Sequence, residues 1–193
     1  MPKTAPKSEI VPRERRIVGT TAGQSPSDTE MVDLYKAGMR RLAAGVSLIT
    51  SGSGEQRAGL IATAVISVSM HPPTLLICVN QSASAHPVIT ETRNFCVNVL
   101  ATESIDIAGQ FSSSTRRHER FTGGNWVQSA RGAPLLKDAL VAFDCEVVFS
   151  LAYGTHTIFF GKIMDVQLNG DGPHEPLLYL DRAFRAASAA LPV

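Results

Sequence analysis

From Gly45 onward the chain is cut by closely spaced turn signals into short runs of apolar and β-branched residues. Residues 46–50 form the first run, and SGSGEQ (51–56) is a polar, glycine-containing turn. AGLIATAVISVSM (58–70) is a β-rich stretch that stops at His71, Pro72 and Pro73. Proline lacks the ladder N–H, so a strand ends there. Residues 74–80, 94–100, 143–149, 156–168 and 176–181 read as further strands. In 143–149, Phe143, Cys145, Val147 and Phe149 alternate with Asp144 and Glu146, which predicts one apolar and one polar face. Helical periodicity appears three times. It follows the S-x-x-E capping box of Ser27 and Glu30, with Met31, Leu34, Tyr35 and Leu42 in step and an end near Gly45. It recurs at 85–92, and at 102–111 with Ile105, Ala108 and Phe111 on one side. Residues 112–134 read as a long loop, a length often associated with function. Six or seven strands with hairpin-length links predict a mainly β protein with a few short helices. A closed or partly open antiparallel barrel fits this better than a parallel sheet.

The chain has 193 residues, 44% of them hydrophobic, enough for one compact core. Residues 1–27 are rich in Pro, Ser, Thr and charge without periodicity, which predicts a flexible N-terminal tail before a single domain spanning 28–193. Eighteen basic and seventeen acidic residues leave a formal charge of +1, which points to neither nucleic acid nor an anionic membrane as partner. Charged residues make up 18% of the chain, below the usual share of about a quarter, which suggests an additional covered face such as a dimer interface. Cys78, Cys96 and Cys145 are odd in number and widely spaced, so they read as buried free thiols. No apolar run reaches membrane-spanning length and the N-terminus lacks a signal-peptide core, so the expectation is a cytoplasmic protein. The five histidines show no metal-ligand spacing, and the expectation is no metal. Gly52 and Gly54 begin a G-x-G, but position 57 is Arg, so no dinucleotide fingerprint follows.

Three segments stand out: GLIATA (59–64), CVNQSAS (78–84), and YGTH (153–156) leading into FFG. Each has a plain explanation. The small residues could pack a tight barrel, Ser82 and Ser84 could cap the next helix, and His156 could simply open a strand.

Taken in order, GLIATAVISVSMHPP, LLICVNQSASAHPVI, NFCVNVL, ERFTGGNW, GAPLL, FDCEV, GTHTIFFG and PLLYLDRAF resemble the flavin reductase family, the small reductase components of two-component flavin-dependent monooxygenases. The resemblance covers residues 33–185. It implies a split β-barrel homodimer of the FMN-binding type that uses NADH or NADPH to reduce FMN or FAD and supplies reduced flavin to a partner monooxygenase. It places flavin contacts at Gly59, Ala62, Thr63, Ala64, Cys78, Val79, Asn80, Ser82, Ser84, Phe111 and Arg120. In that arrangement the backbone of Ala62, Thr63 and Ala64 faces the ring, while 78–80 form an adjacent strand edge. Ser82 and Ser84 face the phosphate, and Phe111 covers the cofactor's tail. His156 matches the family histidine beside the nicotinamide and is the candidate catalytic position. The run Arg116, Arg117, His118, Glu119 and Arg120 reads either as a solvated loop or as an anion contact for flavin or dinucleotide phosphate, and Arg120, before Phe121, matches the family's pattern best. Relatives often carry Thr-Ser or Ser-Ser where this chain has Thr63 and Ala64. The alternative is a non-catalytic flavin-binding or storage barrel, which would need no nicotinamide site.

Overall fold

The structure is a computed structural model that describes residues 26–170 and 175–187. Residues 1–25 of the expected tail lie outside that range. The chain divides into two compact units, one ending at Met39 and one starting at Arg40.

In the first unit, α1 (Asp28–Met39) starts at the capping box foreseen from sequence. The Ser27 backbone N–H and hydroxyl donate to Glu30 Oε2 at 2.9 and 2.8 Å, and the Glu30 N–H returns to Ser27 Oγ at 3.4 Å. These bonds, the backbone one foremost, hold the Glu30 carboxyl below its ordinary pKa. The helix stops at Met39, short of the expected end near Gly45, and buries none of its residues.

The second unit runs β1 (Ala44–Gly45), β2 (Ser47–Ser51), β3 (Ala58–Ala62), β4 (Val65–Met70), β5 (Pro73–Asn80), α2 (Ala85–Thr92), β6 (Asn94–Val99) and α3 (Ile105–Ser112). It continues through β7 (Trp126–Gln128), β8 (Pro134–Leu136), β9 (Val141–Tyr153), β10 (His156–Leu168), β11 (Leu177–Leu180) and β12 (Ala183–Ala186). Seven strands form one antiparallel sheet in the order β3-β2-β6-β9-β10-β5-β4. Its two edge strands, β3 and β4, are consecutive in the chain and joined only by Thr63 and Ala64. The sheet therefore curls until its edges meet, giving a split β-barrel whose seam lies at those two residues. The single strand expected over 58–70 is thus two strands, because the chain leaves β2 as a partner and takes up β5.

The barrel interior holds Ile49, Ile77, Val79, Phe95, Val97 and Phe159, with Ala85 and Ile89 of α2 packed against them. Full burial of a Phe or Ile is worth about 1.5–3 kcal/mol each. Gly161 lets β10 approach this core closely, since a Cβ there would lie 2.4 Å from Phe95 Cζ. A second cluster outside the barrel joins α3, through Ala108 and Phe111, to Leu48, Leu136 and Leu177. Asn98 is fully buried and fully used. It donates to Leu48 O (3.0 Å) and Thr50 Oγ1 (3.2 Å) and accepts from the Leu136 N–H (2.8 Å), tying β6 to β2 and β8. The expected loop at 112–134 contains a 3-10 turn, Arg117–Glu119, and β7, which pairs with β8. No helix among the described residues is long and apolar enough to cross a membrane. Cys96 and Cys145 are buried free thiols, while Cys78 is half-buried.

The alternation expected in β9 fails at two places. Phe149 is 56% exposed, because the end of the β9–β10 hairpin runs past the barrel interior. Asp144 is 1% exposed, and neither carboxylate oxygen has a hydrogen-bond partner. Arg131 Nη1 comes no closer than 3.9 Å. Burial raises the Asp144 pKa, while neighbouring Ser129 and Arg131 only temper the shift. The folded state therefore binds this proton more tightly than the unfolded chain does, so stability contributed here rises as pH falls from neutrality towards 4. Asp144→Asn is expected to melt higher than wild type at pH 8, with the gap closing towards pH 4. Each kcal/mol recovered is worth roughly 2–4 °C at this chain length. Calorimetry across that pH range checks it.

Candidate active site

The seam leaves backbone polar groups without strand partners. β4 begins at Val65, opposite Ile77, and the Cys78 N–H donates to Ala64 O at 3.3 Å. Beyond that point Val79 and Asn80 pair only with Thr157 and His156 of β10, leaving their other side open. β3, at the far end of the sheet order, has β2 on one side only. Open strand edges of this kind present N–H and C=O groups ready to bind something flat. The expectation that 78–80 form a strand edge is corrected in part. β5 is an interior strand, and only its last residues are uncovered. Val79 (0% exposed) and Ala62 (7%) turn their side chains into the barrel, so they meet a ligand only through backbone. Cys78 and Asn80 point outward and are half-buried.

At the other end of β3 a cleft of about 730 Å³ is lined by Arg57, Gly59, Ser84, Arg117, Arg120 and Phe121. The Arg57 guanidinium lies over the Phe121 ring, 4.8 Å from its centre. Arg120 donates to Phe111 O at 3.1 Å, and at 3.4 Å to Gln110 O, Ser113 O and Gly59 O. It thus caps the carbonyls at the end of α3 and pins them to the free edge of β3. Burial, followed by neighbouring Arg117, lowers the Arg120 pKa. Among the described residues, none of Arg57, Arg117 and Arg120 forms a salt bridge, although Glu55 also borders the cleft. Arg116, by contrast, is held by Glu119. Three guanidiniums against one carboxylate favour an anion.

Ser84 opens α2 without making a side-chain cap, so its hydroxyl is free in the cleft. Ser82 donates from both N–H (2.9 Å) and Oγ (2.8 Å) to Asn80 Oδ1, which shapes the turn. Neither serine caps the helix as the plain reading had it. A Cβ at Gly59 would lie 2.7 Å from Phe111 Cε1 and 3.1 Å from Ile49 O, so only glycine fits beneath that ring. Phe111 is 3% exposed and packs edge-on against Phe121. It is a wall behind Gly59, where sequence had suggested a cover over a ligand's tail.

Gly59 and Ala64 are about 16 Å apart along an extended chain. That is the span of a ribityl phosphate plus a three-ring system, so the cationic cleft and the open seam suit the two ends of a phosphorylated flavin. His156 is exposed, opens β10, and lies opposite Asn80 and Tyr153. Its Nδ1 is 2.9 Å from Thr155 Oγ1, and its carbonyl accepts from Gln81 Nε2 at 3.3 Å. Strand spacing and rise put it about 12 Å from Ala64, on the seam's outer face. The sequence-predicted residues thus form two groups, Gly59, Ser84 and Arg120 at the cleft, with Phe111 behind Gly59, and Ala62, Thr63, Ala64, Cys78, Val79, Asn80 and His156 at the seam, with Ser82 in the turn after β5. Arg117, in the run read from sequence as a candidate anion contact, does line the cleft, whereas Arg57 and Phe121 were not foreseen as site residues. Arg57 had counted only against a dinucleotide fingerprint.

Residues 39–188 match the flavin reductase like domain. The chain belongs to the flavin reductase family. As a member it is a nicotinamide-dependent flavin reductase. An FMN reductase (NADH) RutF of Stutzerimonas stutzeri is 40% identical over 156 residues, 81% of this chain and 88% of that protein. The solved structure of a putative flavin reductase from Haemophilus somnus is 36% identical, with a TM-score of 0.75 over 81% of this chain and 99% of that one. BorF, the flavin reductase component of a bacterial two-component tryptophan halogenase, is 28% identical, with a TM-score of 0.73 over 82% of this chain and 99% of its own.

Proposed function

We propose that this flavin reductase binds FMN along the β3 edge, takes its hydride from NADH, and hands reduced flavin to a partner monooxygenase. The observation that carries the reading is the pairing of three guanidiniums without salt bridges at one end of β3 with open backbone at the other, at the span of a phosphorylated flavin. FMN ends in a phosphomonoester, which suits a cluster of Arg57, Arg117 and Arg120. Relatives that carry the name FMN reductase (NADH) support the choice of both substrates.

The bound flavin supplies the hydride-accepting ring, and no general base is needed. The chain's own residues bind and orient. Arg57, Arg117, Arg120 and Ser84 hold the phosphate. The open backbone around Ala62, Thr63 and Ala64 offers N–H groups to the ring's pyrimidine edge, where charge accumulates. Cys78 and Asn80 border that edge. His156 positions the nicotinamide, a proximity effect. The storage-barrel alternative loses ground to the match with enzymes named FMN reductase.

The outer face of the sheet favours a homodimer. Ile66, Leu76, Phe160 and Phe149 form one apolar row across four strands, and Cys78, Ile158 and Leu151 form the next. Ile66 (58% exposed), Phe149 (56%) and Leu151 (50%) lie bare, and soluble monomers rarely leave so continuous an apolar face uncovered. This face borders the seam, so a second copy would wall the flavin site. A separate partner that takes up the reduced flavin is supported by BorF, the reductase component of a two-component halogenase.

His156→Ala tests the nicotinamide assignment. It is expected to raise the KM for NADH roughly 3- to 10-fold, the worth of one neutral hydrogen bond, while FMN affinity stays within about twofold. An unchanged KM removes His156 from the site.

A further inference from the structure

We infer that Thr155 is the positioning residue for His156, its hydroxyl holding the imidazole by Nδ1 so that Nε2 is the ring nitrogen presented to the hydride donor. The inference rests on the function proposed above and names the side chain that sets His156 for its task.

His156 opens β10 at the tip of the β9–β10 hairpin and is exposed, so packing alone does not fix its ring. Its cross-strand neighbours are Tyr153 of β9 and Asn80 of β5. Neither holds the imidazole. Asn80 Oδ1 is taken by the N–H and hydroxyl of Ser82. Tyr153 is 81% exposed, and among the described residues its ring packs against no other ring. Among the described residues the one side chain that bonds the imidazole is Thr155, whose Oγ1 lies 2.9 Å from Nδ1. An exposed side chain without such a bond is spread over several rotamers. The bond made by one ring nitrogen also decides how the other meets a ligand. With Nδ1 engaged by Thr155, Nε2 is the nitrogen left for the nicotinamide.

The turn makes this contact possible. Tyr153 pairs with His156, so Gly154 and Thr155 form a two-residue hairpin turn. Gly154 has φ of +57° while Thr155 stays out of the left-handed region. Glycine first and an ordinary residue second is the pattern of a tight type II′ turn. Thr155 is therefore tied into a fixed link with its hydroxyl beside the ring. Gln81 braces the same two residues through their carbonyls. Its N–H donates to Thr155 O at 3.0 Å, and its Nε2 donates to His156 O at 3.3 Å. Gln81 belongs to the short segment that runs from the open end of β5 to Ser84 of the phosphate cleft. The imidazole is thus referenced to the segment that borders the flavin. A ring set before the nicotinamide arrives loses less freedom on binding it.

Thr155→Val removes the hydroxyl and keeps the branched shape. The residue is exposed, so the melting temperature should stay within about 2 °C of wild type. The KM for NADH is expected to rise roughly 2- to 5-fold, within the worth of one neutral hydrogen bond, with kcat and the Kd for FMN within about twofold. Thr155→Ser keeps the hydroxyl and should return the KM to the wild-type value. In a His156→Ala background Thr155→Val should add nothing, because the bond it removes is already gone. An unchanged KM in Thr155→Val beside a raised KM in His156→Ala overturns the inference and leaves the proposed function standing. An equal rise in both backgrounds overturns it as well, since Thr155 would then act without His156. So does a serine variant that behaves like valine. A valine variant that melts lower or binds FMN more weakly makes Thr155 a structural part of the turn and overturns it too. His156→Ala with an unchanged KM removes the histidine from the site, and the role of Thr155 with it.

Discussion

Replacing Arg120 with alanine is expected to weaken FMN binding roughly 10- to 100-fold, the range for losing a hydrogen bond to a charged group. The size follows from the surroundings of Arg120. Its guanidinium already fixes four carbonyls around the end of α3 and the β3 edge, so it is pre-oriented where the cleft opens. Riboflavin, the same molecule without phosphate, separates two explanations. If Arg120 meets the phosphate, riboflavin affinity changes by no more than about twofold. If its main work is to hold Gly59 under Phe111, both ligands weaken together. Arg120→Lys keeps the charge and loses the planar fork, so it should restore only part of the affinity. Fluorescence titration with both flavins reads both variants against wild type.

The largest effect on folding is expected at Gly161, far from the cleft. A Cβ at that position would stand 2.4 Å from Phe95 Cζ and 2.9 Å from both Phe95 Cε1 and Cys145 Cβ. Phe95 and Cys145 are fully buried, so neither can swing into solvent. Gly161 also sits at a register shift between β10 and β9. Overpacking of this kind costs about 1–3 kcal/mol, and Gly161→Ala should lower the melting temperature by roughly 2–12 °C at this length. Gly161→Val is expected to leave little folded protein. Adding Phe95→Leu should recover part of the loss in the alanine variant, because the clash is with that ring. Equal melting temperatures for the single and double variants would place the clash elsewhere.

Much of the barrel was legible because its strands carry their own punctuation. β10 and α2 begin and end where apolar runs meet turn residues. The break at Thr63 and Ala64 was not legible, since nothing in AGLIATAVISVSM interrupts a strand. Only the closure of the sheet makes the chain change partners there. That invisible break is also where the ring-binding edge opens, so the function-bearing residues were foreseen by resemblance and not by pattern. Asp144 misled because alternation assigns it to solvent, whereas the loop carrying Arg131 folds over that face. Arg57 was missed because a lone arginine in a turn has no signature until Phe121 and Arg120 are brought beside it from a distant segment. The β11–β12 hairpin escaped for a related reason. Its turn uses Asp and Arg at left-handed positions instead of the glycine that would have announced it.

The most direct test of the account is the loss of NADH absorbance with the purified protein, with and without added FMN. The account predicts NADH oxidation that depends on FMN, saturates with both, and falls in His156→Ala through the KM for NADH. FMN binding with no NADH oxidation would contradict it and leave the chain a flavin-storing barrel.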